Sequence, residues 1–202
     1  MSEKIEGLPA AELQVMVGAA GFPRFLQLLQ QGIILWREVG CSVRSFLHDQ
    51  LRLSPQFVEE NIQTIFLDGK PVDDLDRARV KDGCTIALSA AMPGLVGATM
   101  RRGGYYASLR AQISHRQEGE NGGETAKGRV TLKLFNLVAR SLGKTFLEGG
   151  FFVTRKTLED FIRWSQPMGD IQAVLGGAPF DWKAFQAGKS ADELVRLRLK
   201  IV

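Results

Sequence analysis

Cysteine and histidine are scarce in this chain, two of each among 202 residues. Cys41 and Cys84 lie in unrelated contexts without CxxC spacing, and His48 and His115 are the only imidazoles. That supply argues against a Cys/His metal site, so no metal is expected, and both cysteines read as reduced small hydrophobes. Long apolar runs are missing too. The longest weakly polar stretch, IALSAAMPGLVGATM (86–100), is interrupted by Pro93, Gly94 and Gly97, whereas a bilayer span needs about 20 apolar residues. The opening MSEKIEGLPAAELQ has neither the basic start nor the apolar stretch of a secretory leader. These absences lead us to expect a soluble cytoplasmic protein without a membrane partner. GxxxxGK[ST], GxGxxG, GxSxG and HExxH are all absent, so no cofactor and no enzymatic activity are expected.

What is present suits a globular protein. Hydrophobic residues make up 45% of the chain and the formal net charge is +4, from 26 basic and 22 acidic residues. That balance is far from the cationic profile of a dedicated nucleic-acid binder. Residues 9–20 carry Leu13, Met16 and Val17 at helical spacing, and Pro23 can open a second helix with Phe25, Leu28 and Leu29 on one face. GIILWREVG (32–40) reads as a strand. Ser42 then caps a helix whose stripe is Val43, Phe46, Leu47 and Leu51, and Ser54-Pro55 starts a further helical turn. Asp68-Gly69 signals a hairpin, Asp82-Gly83 a turn, and CTIALSA (84–90) a strand. Residues 105–116 set Leu109, Ala111 and Ile113 opposite Arg110, Gln112 and Ser114, which predicts a half-buried strand. RVTLKLF (129–135) alternates likewise. The polar QEGENGGETAKG (117–128) between them reads as a mobile hairpin tip or an interdomain linker, and the matched alternation favours the hairpin. Residues 136–150 and 157–166 look helical, the latter capped by Thr154 and stopped at Pro167. Phe180, Trp182 and Phe185 should pin the tail, Ser190 caps ADELVRLR, and LRLKIV (197–202) can finish as a strand.

The segment 33–97 resembles the ubiquitin-like, β-grasp sulfur carriers of molybdopterin and thiamine biosynthesis. SVRSFL stands on the helix, FLDGKPV stands in for the family's VxxNGxxV hairpin, and KDGCTIALS for its DGDxVxL strand, with Cys84 where an acidic residue is usual. The resemblance implies an α+β fold with a sheet wrapped about a helix. The chain then divides into a helical N-terminal segment (1–31), a β-grasp-like domain (32–104), and a C-terminal α+β region with a long hairpin (105–202).

The carriers end in a di-glycine whose carboxylate is activated; here Gly103-Gly104 is internal, in TMRRGGYYA (99–107). A peptide-bonded glycine offers no acid to ATP, so the pair reads as a turn, and the chain as a non-enzymatic interaction module related to the carriers. Two alternatives stand beside it. One is a sulfur carrier activated by cleavage after Gly104. The other is an anion- or phosphate-binding protein, in which Gly94, Gly97, Gly103 and Gly104 let backbones approach and Arg101 and Arg102 hold the anion. The bland counterpart is a crossover whose arginines are solvated or paired with Asp73, Asp74 and Asp76. The expected partner is a protein that docks on the open face or edge of the sheet, with Arg101 and Arg102 in contact. Nucleic acid is the weaker expectation, although basic residues from Arg101 to Lys133 and the stacking-competent Tyr105 and Tyr106 gather around the proposed hairpin. Asp73, Asp74 and Asp76 lack a calcium-loop pattern and read as solvated turn residues. A Cys41/His48 nucleophile pair lacks an orienting third group.

Overall fold

The computed structural model describes residues 12–110, 113–115, 125–165, 171–181, 185 and 190–202. In chain order the elements begin with β1 (Glu12–Val17), α1 (Phe22–Gln31) and β2 (Ile33–Val39). Next come α2 (Val43–Ser45), which runs on into a π-helical turn (Phe46–Gln50), then α3 (Pro55–Asn61), β3 (Thr64–Leu67), β4 (Lys70–Pro71) and β5 (Thr85–Ser89). After these come α4 (Gly94–Met100), a 3-10 helix (Tyr105–Arg110) and β6 (Ala126–Leu134). The chain closes with α5 (Asn136–Gly149), β7 (Phe151–Thr154), α6 (Arg155–Trp164), β8 (Ile171–Leu175), β9 (Ala178–Pro179) and β10 (Leu194–Ile201). The protein is therefore of the α+β class. It forms two compact units, Ile34–Ser141 and the remainder, Met1–Ile33 with Leu142–Val202.

In the Ile34–Ser141 unit the strand order is β4-β3-β5-β6-β2. The Asp68-Gly69 turn behaves as expected, both residues taking positive φ (49° and 77°), the left-handed pair that a tight hairpin needs. It sets β3 antiparallel to β4, while β3 also runs antiparallel to β5. β5 pairs in parallel with β6, Ile86 opposite Leu132 and Leu88 opposite Leu134, and all four side chains are buried. Ser42 Oγ accepts from the Ser45 N–H at the start of α2, and Ser54 Oγ from the Phe57 N–H at the start of α3, each 3.1 Å. The predicted stripe Val43, Phe46, Leu47 and Leu51 is buried in this unit's core.

The other unit has the strand order β7-β10-β1-β8-β9. β1 runs parallel to β10 and antiparallel to β8. α1 and α6 meet through Phe25 and Phe161, whose ring centroids lie 4.8 Å apart. In α5, Gly143 approaches α1 so closely that a Cβ would lie 2.4 Å from the end of Leu26.

Three expectations are corrected. The helix expected over 9–20 is the strand β1 where it is described. ELQVMV fits both periods, but its burial follows period two, with Leu13, Val15 and Val17 inward, because two flanking strands satisfy its backbone. The helix expected from Ser190 is β10, whose Leu197 and Leu199 are buried beside β1 for the same reason. The strand expected over 105–116 is a 3-10 helix at Tyr105–Arg110, so no hairpin joins it to β6; β6 has β5 and β2 as its neighbours instead. Residues 117–124 of the expected tip and Ala111, Gln112 and Arg116 of the expected strand, together with Pro9, Pro167 and Trp182, lie outside the described residues.

Truncating Phe161→Ala should cost about 3–5 kcal/mol, because it opens a void against Phe25 in a fully buried position. Urea unfolding checks this, and an unchanged midpoint would contradict the packing described.

Candidate functional site

β5 and β6 are neighbours and parallel, so the chain between them must leave one end of the sheet and return at the other. This excursion, residues 90–125, holds every site residue named from sequence. Its first turn forms α4. Gly94 enters at φ 78°, where a side chain would be strained, and Gly97 is packed so tightly that a Cβ would lie 2.0 Å from the Met92 carbonyl oxygen. α4 ends at Arg101. The Gly104 N–H then donates to the Arg101 carbonyl at 3.2 Å, with Gly103 at φ 61°. Gly103-Gly104 is thus part of a four-residue turn whose third position demands glycine.

Several bonds tie this turn and the chain beyond it to the rest of the unit. The Arg102 N–H donates to the Gln63 carbonyl at 2.8 Å, and the Arg102 guanidinium pairs with Glu59 at 3.1 Å. The His115 N–H donates to the Pro71 carbonyl at 2.8 Å, covering the edge strand β4, whose proline has no N–H to offer. The strongest tie is Arg110, with a side chain 2% exposed. Its Nη1 and Nη2 donate to the two Asp73 carboxylate oxygens at 2.8 and 2.7 Å. Nε donates to the Thr99 carbonyl at 2.6 Å, and the remaining N–H groups reach Ser114 Oγ at 2.7 Å and the Arg101 carbonyl at 3.4 Å. All five guanidinium donors are occupied.

The turn borders a cavity of about 460 Å³ lined by Gln63, Ala91, Met92, Gly97, Ala98 and Arg101 through Tyr106. Five of the six sequence-named site residues line it; Gly94 serves instead to start α4. Tyr105 and Tyr106 stand edge to face, with centroids 5.1 Å apart. Along its length the excursion leaves Leu95, Val96, Tyr105, Leu109 and Ile113 exposed, Tyr105 to 90%. Such a concentration of exposed apolar side chains is unusual for a surface without a partner. Arg101 is exposed and has no ion-pair partner among the described residues, whereas Arg102 and Arg110 are engaged.

The acidic trio is spent on structure. Asp73 holds Arg110, Asp76 holds Arg44 at 2.6 Å, and Asp74 caps the next turn through bonds from the Asp76 and Arg77 N–H groups, 3.0 Å each. No metal-holding group of His, Cys, Asp or Glu occurs among the described residues. Burial pushes the Cys84 thiol up to about 11 and raises that of Cys41, which disfavours the thiolate in both. The Cys41 thiol donates to the Glu38 carbonyl and His48 Nδ1 is bonded to the Leu53 carbonyl, so both groups already have backbone partners. No helix among the described residues is long and apolar enough to cross a membrane.

Sequence reasoning missed Arg110, which alternation placed on a strand. Its partner Asp73 lies 37 positions away, and no local pattern links the two. Set beside protein-family models, curated proteins and solved structures, the chain matches none.

Replacing Arg110 by methionine removes the fork while keeping much of the stem. Amide exchange at Arg102 and His115 should then accelerate at least about tenfold, a loss of about 1.4 kcal/mol or more in local stability. Unchanged protection at both amides would show that Arg110 does not hold the excursion.

Proposed function

We propose that the Ile34–Ser141 unit is a ubiquitin-like interaction module, non-enzymatic, with the β5–β6 excursion as its contact surface for a protein partner. The observation that carries this is the place of Gly103-Gly104 between two adjacent parallel strands. A β-grasp sheet has a parallel pair at its centre and a helix across one face. Here β5 and β6 supply the parallel pair, the FLDGKPV turn joins β3 to β4, and the Ser42-capped helical segment follows β2.

The route of the chain differs from that of the carriers: β6, which follows the di-glycine, lies between β5 and β2 and completes the sheet. Their tail leaves the last strand and stops, free to be activated. Here the same tail continues, because β6 has yet to be supplied. Cleavage after Gly104 would separate a strand interior to the sheet from β5 and the elements before it. This weighs against the cleaved-carrier alternative and for a chain that works uncut.

The surface suits contact. Exposed tyrosine and arginine side chains are among the groups that dominate protein interfaces. The covered edge at β4 turns docking away from the sheet edge and towards the excursion.

A photo-crosslinking residue at Tyr105 should give a discrete protein adduct in the native host, and the same residue at the exposed Leu137 should not. Intact mass from that host should show a chain that is uncut after Gly104. Equal labelling from both positions would remove the contact surface from the account. A fragment ending at Gly104 with a thiocarboxylate mass gain would replace the module with the carrier.

A further inference from the structure

The same surface carries information about what it accepts. Resting on the interaction reading, we propose that the cavity beside Arg101 takes an acidic side chain carried next to an apolar residue on the partner protein. The supply of donors singles out Arg101. Arg110 has given all five of its own to groups of the same chain, and Arg102 is paired with Glu59. Of the three, Arg101 alone has no hydrogen-bond or ion-pair partner for its guanidinium among the described residues, and it lines the cavity, which has room for a side chain and its neighbour at about 460 Å³. A guanidinium fork matches a carboxylate, and Tyr105 and Tyr106, which line the cavity and are exposed, offer apolar area to whatever flanks it.

Charge separates this occupant from its rivals. A second copy docking through this patch would have to bring a free acid to Arg101, and the nearby acids Glu59 and Asp73 are already engaged. A nucleic-acid strand needs several phosphate-facing cations, and one uncommitted arginine is a poor supply.

The test is an amide-shift titration of the full chain with the blocked tripeptide acetyl-Leu-Glu-Leu-amide, followed at Ala98 and Arg101 through Tyr106. Acetyl-Leu-Gln-Leu-amide, inorganic phosphate and oligo-uridylate serve as comparison probes. The glutamate peptide should bind about three- to fivefold more tightly than the glutamine peptide, the size of an exposed ion pair. Arg101→Gln should erase that gap, and Arg140→Gln, at an exposed site outside the excursion, should preserve it. Equal affinity for the two peptides would overturn the carboxylate pocket while leaving an apolar contact surface in place. Stronger shifts with phosphate or oligo-uridylate than with the glutamate peptide would also overturn it, as would no shift with any probe. The crosslink at Tyr105 reads the contact surface independently of all these outcomes.

Discussion

The ion pair between Arg110 and Asp73 holds a stretch of chain that hydrophobic burial alone would leave loose. From Met92 to Ile113 the excursion exposes Leu95, Val96, Tyr105, Leu109 and Ile113, so little apolar area offsets the entropy of ordering it. Burying a guanidinium is costly unless every donor finds an acceptor. Here each donor does, and the acceptors are spread over the segment itself: the Thr99 and Arg101 carbonyls at the end of α4, Ser114 beyond the 3-10 helix, and Asp73 after β4. One side chain thus ties the end of α4 and Ser114 to the turn after β4. Apolar groups can remain outside because they are not needed to hold the segment in place.

The need for such a segment originates in the sheet. Two parallel neighbours cannot be joined by a tight turn. Once β5 and β6 pair in parallel, a long connection is obligatory, and its composition is free to serve another purpose. The di-glycine is where that connection reverses direction after α4. Gly103 supplies the left-handed residue of the turn, and the Arg102 N–H anchors it to Gln63. Glycines that resemble an activatable terminus have a conformational role at this point in the chain.

Much of this was legible from local chemistry. The caps Ser42, Ser54 and Thr154, the Asp68-Gly69 hairpin, and the strands at 33–39 and 85–89 are settled by residues within a few positions of one another. Five of the six residues singled out from sequence also line one cavity. The errors share a cause. ELQVMV and the stretch after Ser190 each contain a period that fits a helix, and pairing with each other and with distant strands decided for extended chain. Tyr105–Arg110 alternates well enough for a strand, yet Arg110 points inward to an aspartate 37 positions away. A salt bridge of that separation leaves no trace in a window of ten or fifteen residues. The place of β6 beside β5 is equally non-local, and with it the reason the di-glycine is internal.

Whether the Arg110 guanidinium is locked in place decides most of the above, and side-chain nitrogen NMR reads it without intermediaries. A separately resolved, slowly exchanging Arg110 Nε–H signal is expected at neutral pH, rigid on the nanosecond scale, with cross-peaks to Thr99 and Ser114. Arg101 should show a fast-exchanging, averaged signal. An Arg110 signal as averaged and as mobile as that of Arg101 would contradict the lock and the excursion it holds.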